Sequence, residues 1–241
     1  MAMPKKFLTF TQGWISTAGS RSRPHPGPNT MIHKTRILAF KIVLWVAALA
    51  PAAWLIAGAF LGWLGANPIE KVTHVTGMTT LISLLVTLSI TPLRRLTGWS
   101  GAIRLRRPLG LFAFFYALIH FNTWFVFDQV FNWRWMVEDI IERPFITVGF
   151  SAFVILIPLA LTSTKGWMRR LGTRWAKLHR GIYFAATLGV VHFYWLAKSK
   201  ADVRLPLLLA FCLSVLLVYR VLGWLETRRR TIARSHRRNI N

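Results

Sequence analysis

Cysteine and acidic residues are nearly missing from this sequence. One cysteine, Cys212, stands among 241 residues. A lone thiol closes no disulfide within the chain, and without a Cys-x-x-Cys-His motif no heme can be attached covalently. Only 7 Asp and Glu face 31 Lys and Arg, a formal net charge of +24. Such an excess first suggests nucleic acid. The basic residues, however, fall between apolar blocks and at the two chain ends, not on one amphipathic face. With no recognition helix or RNA-binding motif present, the charge reads as membrane topology and nucleic acid is not expected as a partner.

What the chain has in quantity is apolar length. Hydrophobic residues make up 54% and mean hydropathy is +0.43, against roughly 45–50% apolar for soluble domains. They gather in six blocks, near 42–64, 74–91, 108–127, 145–162, 179–197 and 205–224. A helix crossing a hydrocarbon core about 30 Å thick needs roughly 20 such residues. The pattern predicts an all-α, polytopic membrane helix bundle with about six transmembrane helices. Pro92, Pro108, Pro144 and Pro206 lie near block ends, while Pro51 and Pro158 predict kinks inside blocks. No solenoid-type repeat is visible.

Three regions follow. Residues 1–35, polar and broken by Pro24, Pro26 and Pro28, read as a disordered cytoplasmic tail or as sequence upstream of a start at Met31. Residues 36–225 form the membrane domain. Residues 226–241 are a basic cytoplasmic tail. The stretch 36–50 imitates a signal peptide, but its apolar run continues to about Leu64, which predicts an uncleaved first helix.

Basic residues set the expected orientation. Seven Lys and Arg precede the first block, five lie in 92–107, six in 163–180 and seven from Arg220 onward, which is 25 of the 31. The positive-inside rule then puts both termini in the cytoplasm. Six of the seven acids (Glu70, Asp128, Glu138, Asp139, Glu142 and Asp202) fall in the outward loops.

Of seven histidines, His25, His33 and His236 lie in polar tails, whereas His74, His120, His179 and His192 lie in or beside apolar blocks. An ionisable side chain inside a bilayer is costly and marks a functional site by default. His120 is 12 residues into the third block and His192 is 13 into the fifth. With a rise of 1.5 Å per residue, both reach roughly 18–20 Å from the cytoplasmic side. Two neutral imidazoles at one level can clamp a heme iron from both faces, so His120 and His192 are the expected axial pair. His179 precedes His192 by 13 residues, about 20 Å along a helix axis but about 140° around it. It is left for a second heme or for positioning a flavin or quinone. Arg106, Arg107 and Arg180 lie where cytoplasmic phosphate or propionate groups, or lipid headgroups, would sit. The near absence of carboxylates within the blocks argues against a proton-relaying transporter.

Several stretches together carry a family resemblance: Thr73-His74-Val75-Thr76-Gly77, Ile90-Thr91-Pro92-Leu93-Arg94-Arg95, Arg106-Arg107-Pro108-Leu109-Gly110, Tyr116 to Phe121, Arg143-Pro144-Phe145-Ile146-Thr147, Leu178-His179-Arg180 and Val191-His192-Phe193-Tyr194-Trp195. Over roughly residues 36–225 the chain resembles the MsrQ family. These are the heme-binding membrane subunits of periplasmic methionine sulfoxide reductase systems, within the wider ferric-reductase-like transmembrane group. The resemblance implies a multi-pass protein of the bacterial inner membrane. It implies heme b, FMN and the quinone pool as electron carriers, and an MsrP-like molybdopterin reductase as partner. The catalytic site for methionine sulfoxide is expected on that partner. The family's heme histidines map onto His120, His179 and His192. No flavin motif assigns FMN residues, and a cytochrome b subunit serving another acceptor, such as a ferric reductase, remains the alternative.

Overall fold

The structure is a computed structural model that describes residues 28–199 and 202–240. Its contacts divide into two units, residues 1–40 and 41–241. Of the first, only the beginning of helix α1 (Pro28–Leu61) falls among the described residues. The expected tail therefore lies mostly outside them, as does His25.

The second unit consists of helices joined by short connections among its described residues. After α1 come α2 (Pro68–Thr97), a 3₁₀ turn (Ser100–Leu105), α3 (Arg106–Thr123) and a π turn (Trp124–Asp128). Then follow α4 (Trp133–Glu142), α5 (Pro144–Leu161), α6 (Lys165–Leu171), α7 (Thr173–Leu178), α8 (Gly181–Ser199) and α9 (Arg204–Ile240). Local sequence explains the boundaries. The Asn67 side chain accepts the Glu70 amide, Pro68 opens the first turn, and Gly98 closes α2 in the left-handed region at φ 67°. Pro144 likewise opens α5.

Five helices are long and apolar enough to cross a bilayer: Leu38–Leu61, Pro68–Thr97, Ser100–Asp128, Pro144–Leu161 and Arg204–Arg230. The sixth expected span, 179–197, is α8. Its 19 residues reach about 28 Å at 1.5 Å each, but His192, Tyr194, Trp195 and Lys198 interrupt its apolar run. Only 11% of the most apolar stretch of Leu38–Leu61 is buried, so most of that helix's surface is left uncovered by the rest of the chain. The fold is that of a multi-pass membrane protein.

The core lies between two helix pairs, α2 with α3 and α5 with α8. Leu81, Leu84, Leu85 and Leu88 of α2 meet Ala113 and Ala117 of α3, Leu156 and Leu159 of α5, and Ile182, Ala185, Ala186 and Val190 of α8. Ala113, Ala185 and Ala186 are fully buried. Such small residues let membrane helices approach closely where the hydrophobic effect between them is weak. Helix α2 also carries hydroxyls through the bilayer by returning them to its own backbone. Thr76, Thr79, Thr80 and Thr87 donate to the carbonyls of Val72, Val75, Thr76 and Ser83 at 2.7–2.9 Å.

Two segments expected as loops are ordered helices. The stretch 128–144 contains α4, and 163–180 contains α6 and α7. Helix α4 is short and segregates apolar from charged faces, a pattern that suits a membrane interface and escapes a search for long apolar runs.

Pro51 lies inside α1 and has no N–H to give its ladder; beside it α1 is bonded to α3. The buried Tyr116 hydroxyl donates to the Ala48 carbonyl at 2.6 Å and accepts the Ala52 amide at 3.1 Å. Tyr116→Phe is therefore expected to remove both bonds and to destabilise the bundle by about 1–3 kcal/mol. Unfolding in detergent measures this, and an unchanged midpoint would show that these bonds do not hold α1 to α3.

Candidate functional site

Between the two helix pairs lies a half-open chamber of about 1060 Å³. Leu81 and Leu84 of α2, Phe121 of α3, and Phe153 and Leu156 of α5 supply apolar walls, and His120 and His192 face it from α3 and α8. At one end the lining turns polar, with Glu70, Asp128, Glu138 and Asp139.

His120 and His192 stand opposite each other, ring centres 6.1 Å apart and ring planes 81° to one another. Each Nδ1 contacts a backbone carbonyl, His120 that of Thr73 at 2.9 Å and His192 that of Phe145 at 2.7 Å. A carbonyl only accepts, so each Nδ1 carries the proton and each Nε2 keeps its lone pair. That is the tautomer a metal requires, with the second-shell acceptor that orients ligating imidazoles. Metal–nitrogen bonds of about 2.0 Å, with each ring centre roughly 1.2 Å further back, would place the centres about 6.4 Å apart. The observed separation matches that span.

Among the described residues no three His, Cys, Asp or Glu side chains converge to cage a metal ion. Two imidazoles across an apolar chamber suit an iron that brings its own equatorial nitrogens, and so the residues present fit heme held from both faces.

His179 is not brought to this pair. It caps α7, with its Nε2 3.0 Å from the Thr162 hydroxyl and its ring stacked on Trp175 at 4.0 Å. Trp175 in turn donates to the Thr162 carbonyl at 3.0 Å. Burial first, and the nearby Arg106 guanidinium second, hold the His179 imidazole below its ordinary pKa. The same end of the bundle gathers Arg220, which donates to Thr91 at 2.5 Å and covers the Tyr183 ring at 4.8 Å. His74, exposed on α2, lines the chamber and meets Phe193 edge-on at 6.3 Å. Arg107 and Arg180 are exposed.

The polar end of the chamber is built by residues whose roles sequence reasoning missed. Asp139 of α4 accepts from Gln129 at 2.8 Å and from the Trp124 indole at 3.3 Å, and pairs with Arg143 at 2.9 Å. It thereby ties α4 to the π turn that ends α3. The turn between them is strained, with Val130 at φ 48° and Phe131 at φ 58°, a backbone region costly for a β-branched residue. The unusual density of polar residues in Asp128-Gln129 and Glu138-Asp139 was the signal available.

The Herminiimonas arsenicoxydans protein-methionine-sulfoxide reductase heme-binding subunit MsrQ is 50% identical over 198 residues, covering 82% of this chain and 88% of its own length. The chain belongs to the MsrQ family. MsrQ subunits of Xanthomonas euvesicatoria pv. vesicatoria (48% identical over 213 residues, 83% and 94% covered) and Bordetella pertussis (50% over 195, 80% and 93%) are similarly close. The family model described as ferric reductase like transmembrane component matches residues 75–190, which includes His120 and His179 and stops just short of His192. No solved structure matches significantly.

In this MsrQ-family chamber Asp139 is the cross-brace. Asp139→Ala is expected to strand the buried Gln129 amide and the Trp124 indole, at a cost of about 1–3 kcal/mol. Hydrogen exchange should then quicken across 129–143 and stay unchanged in α2. Uniform protection in the variant would remove Asp139 from that role.

Proposed function

We propose that this chain is a b-type cytochrome subunit of the bacterial inner membrane, with heme held by His120 and His192. It would carry electrons from the quinone pool or a flavin to an MsrP-like periplasmic molybdopterin reductase that repairs oxidised protein methionines. The opposed imidazoles, each with Nδ1–H committed to a carbonyl, carry this reading. The names of the relatives, heme-binding subunits of protein-methionine-sulfoxide reductase, support it.

Heme, when bound, supplies a reversible one-electron couple. The chain's residues would do the rest. His120 and His192 present Nε2 lone pairs from two helices. The Thr73 and Phe145 carbonyls hold the rings in that tautomer. The leucine and phenylalanine walls keep water out and lower the local dielectric, one of the protein's levers on potential. The acidic rim suits a partner that docks by charge complementarity, and the Lys and Arg excess at the other end favours an anionic or quinone donor there. FMN belongs to the proposal by family resemblance, and no residue is assigned to it. The ferric-reductase description of the matching model favours, as a second reading, a different acceptor served by the same heme. Electron transfer from the reduced subunit to a molybdopterin reductase, compared with ferric chelates, separates the two.

The purified protein should show a low-spin b-type spectrum, and His120→Ala or His192→Ala should each remove most heme or turn it high-spin. A wild-type reduced-minus-oxidised spectrum in both variants would reject the axial assignment. His179→Ala is expected to leave that spectrum and heme content near wild type while slowing reduction by the donor; loss of half the heme would instead give His179 a second site. The Lys and Arg distribution favours both termini in the cytoplasm, so a reporter fused after Arg228 should read cytoplasmic and one within 132–140 periplasmic.

A further inference from the structure

The two histidines are seated in the same way. Each Nδ1–H reaches a carbonyl 47 residues earlier in the chain, on the neighbouring helix. One turn beyond each carbonyl, on that helix, stands a glycine: Gly77 after Thr73 and Gly149 after Phe145. A Cβ built on Gly77 would lie 2.9 Å from both Nδ1 and Cε1 of His120. On Gly149 it would lie 2.6 Å from Nδ1 and 2.9 Å from Cε1 of His192. Neither approach is sterically permitted, so each ring occupies the space a side chain would fill. A glycine inside a helix costs about 1 kcal/mol relative to alanine, and here both glycines have the same packing reason.

The correspondence extends further. Thr73, Gly77 and His120 are each followed 72 residues later by Phe145, Gly149 and His192. At the same offset, Leu84 matches Leu156, Ala113 matches Ala185 and Phe121 matches Phe193. Both alanines are fully buried and both leucines lie in the core between the helix pairs. The α2–α3 pair and the α5–α8 pair thus each seat one histidine in the same way beside the chamber.

We propose that Gly77 and Gly149 are the positioning residues of the two iron ligands, in equivalent halves of a 72-residue internal repeat. By lacking a side chain, each admits its imidazole against the helix so that Nδ1–H meets the carbonyl one turn earlier. This rests on the reading that His120 and His192 hold heme iron. The carbonyl bond fixes ring rotation and raises the basicity of Nε2, which favours the ferric state. A methyl group at either glycine pushes the ring off its carbonyl and weakens both effects, through one seat or the other alike.

The test compares full-length wild type, Gly77→Ala, Gly149→Ala and Gly110→Ala in detergent. Gly110 is also helical, but a Cβ there meets only Thr87 Cγ2 at 4.0 Å. Heme retention against a competing apoprotein, the reduction potential and the low-spin electron paramagnetic resonance spectrum are read for each. Both seat variants should keep their histidines as ligands yet hold heme 10- to 100-fold less tightly. Their potential should rise by about a tenfold shift in the ferric-to-ferrous equilibrium, 59 mV for one electron. Gly110→Ala should behave as wild type. Wild-type retention, potential and spectrum in both seat variants, while His120→Ala and His192→Ala lose heme, would overturn the positioning role and leave the ligand reading standing. A wild-type spectrum in both histidine variants would overturn both. If a seat variant does not accumulate, the redox-difference infrared spectrum of wild type with ring-labelled histidine decides. Ring modes of carbonyl-bonded Nδ1–H in both histidines support the proposal, and modes of a free or water-bonded Nδ1–H overturn it.

Discussion

An imidazole placed among apolar helices has to stay neutral and find an acceptor for its one N–H, because no water is at hand to do so and an unpaired polar group in hydrocarbon costs several kcal/mol. The carbonyls of Thr73 and Phe145 meet that demand. Much else follows. A helix carbonyl is already engaged along its own ladder, and these two imidazole rings reach theirs where the neighbouring surface is cut away. Gly77 and Gly149 make those cuts. Both rings then line the chamber between the helix pairs, beside the apolar walls of α2, α3 and α5.

Backbone and hydroxyl groups elsewhere obey the same constraint. Among the described residues, no buried side-chain nitrogen or oxygen lacks a hydrogen-bond partner. The threonines of α2 bond back to their own helix, and Tyr116 bonds the backbone beside Pro51, joining α1 to α3. At the chamber's polar end, Asp139 collects Gln129, Trp124 and Arg143 in one knot. The interior polar groups hold geometry, and the strained turn at Val130 and Phe131 sits where that knot holds it in place.

A contrast separates the two ends of α8. His192 looks across the chamber at another imidazole, whereas His179 is stacked on Trp175 and bonded to Thr162. At the offset that relates the two halves, Arg107 is the residue corresponding to His179. The repeat therefore provides a facing histidine pair once. At the other level the corresponding residue is an exposed arginine, so the repeat supplies no second histidine there.

The all-helical membrane class was legible because the bilayer imposes a length: six apolar blocks near 20 residues admit few other folds. His120 and His192 were legible as a pair because helical rise converts sequence position into depth. Helix α4 was not, since ten residues with mixed polarity give no spanning signal. Nor was the 72-residue repeat, whose shared identities are scattered single residues such as Gly77 and Gly149. The sequence by itself determined the number and depth of apolar segments, since these depend on composition along one axis. Only tertiary structure decided how closely the two rings approach, which carbonyl each one binds and why two helices carry glycine there. Those depend on rotation about the helix axis and on the neighbour across the gap, which lies 43 residues away along the chain.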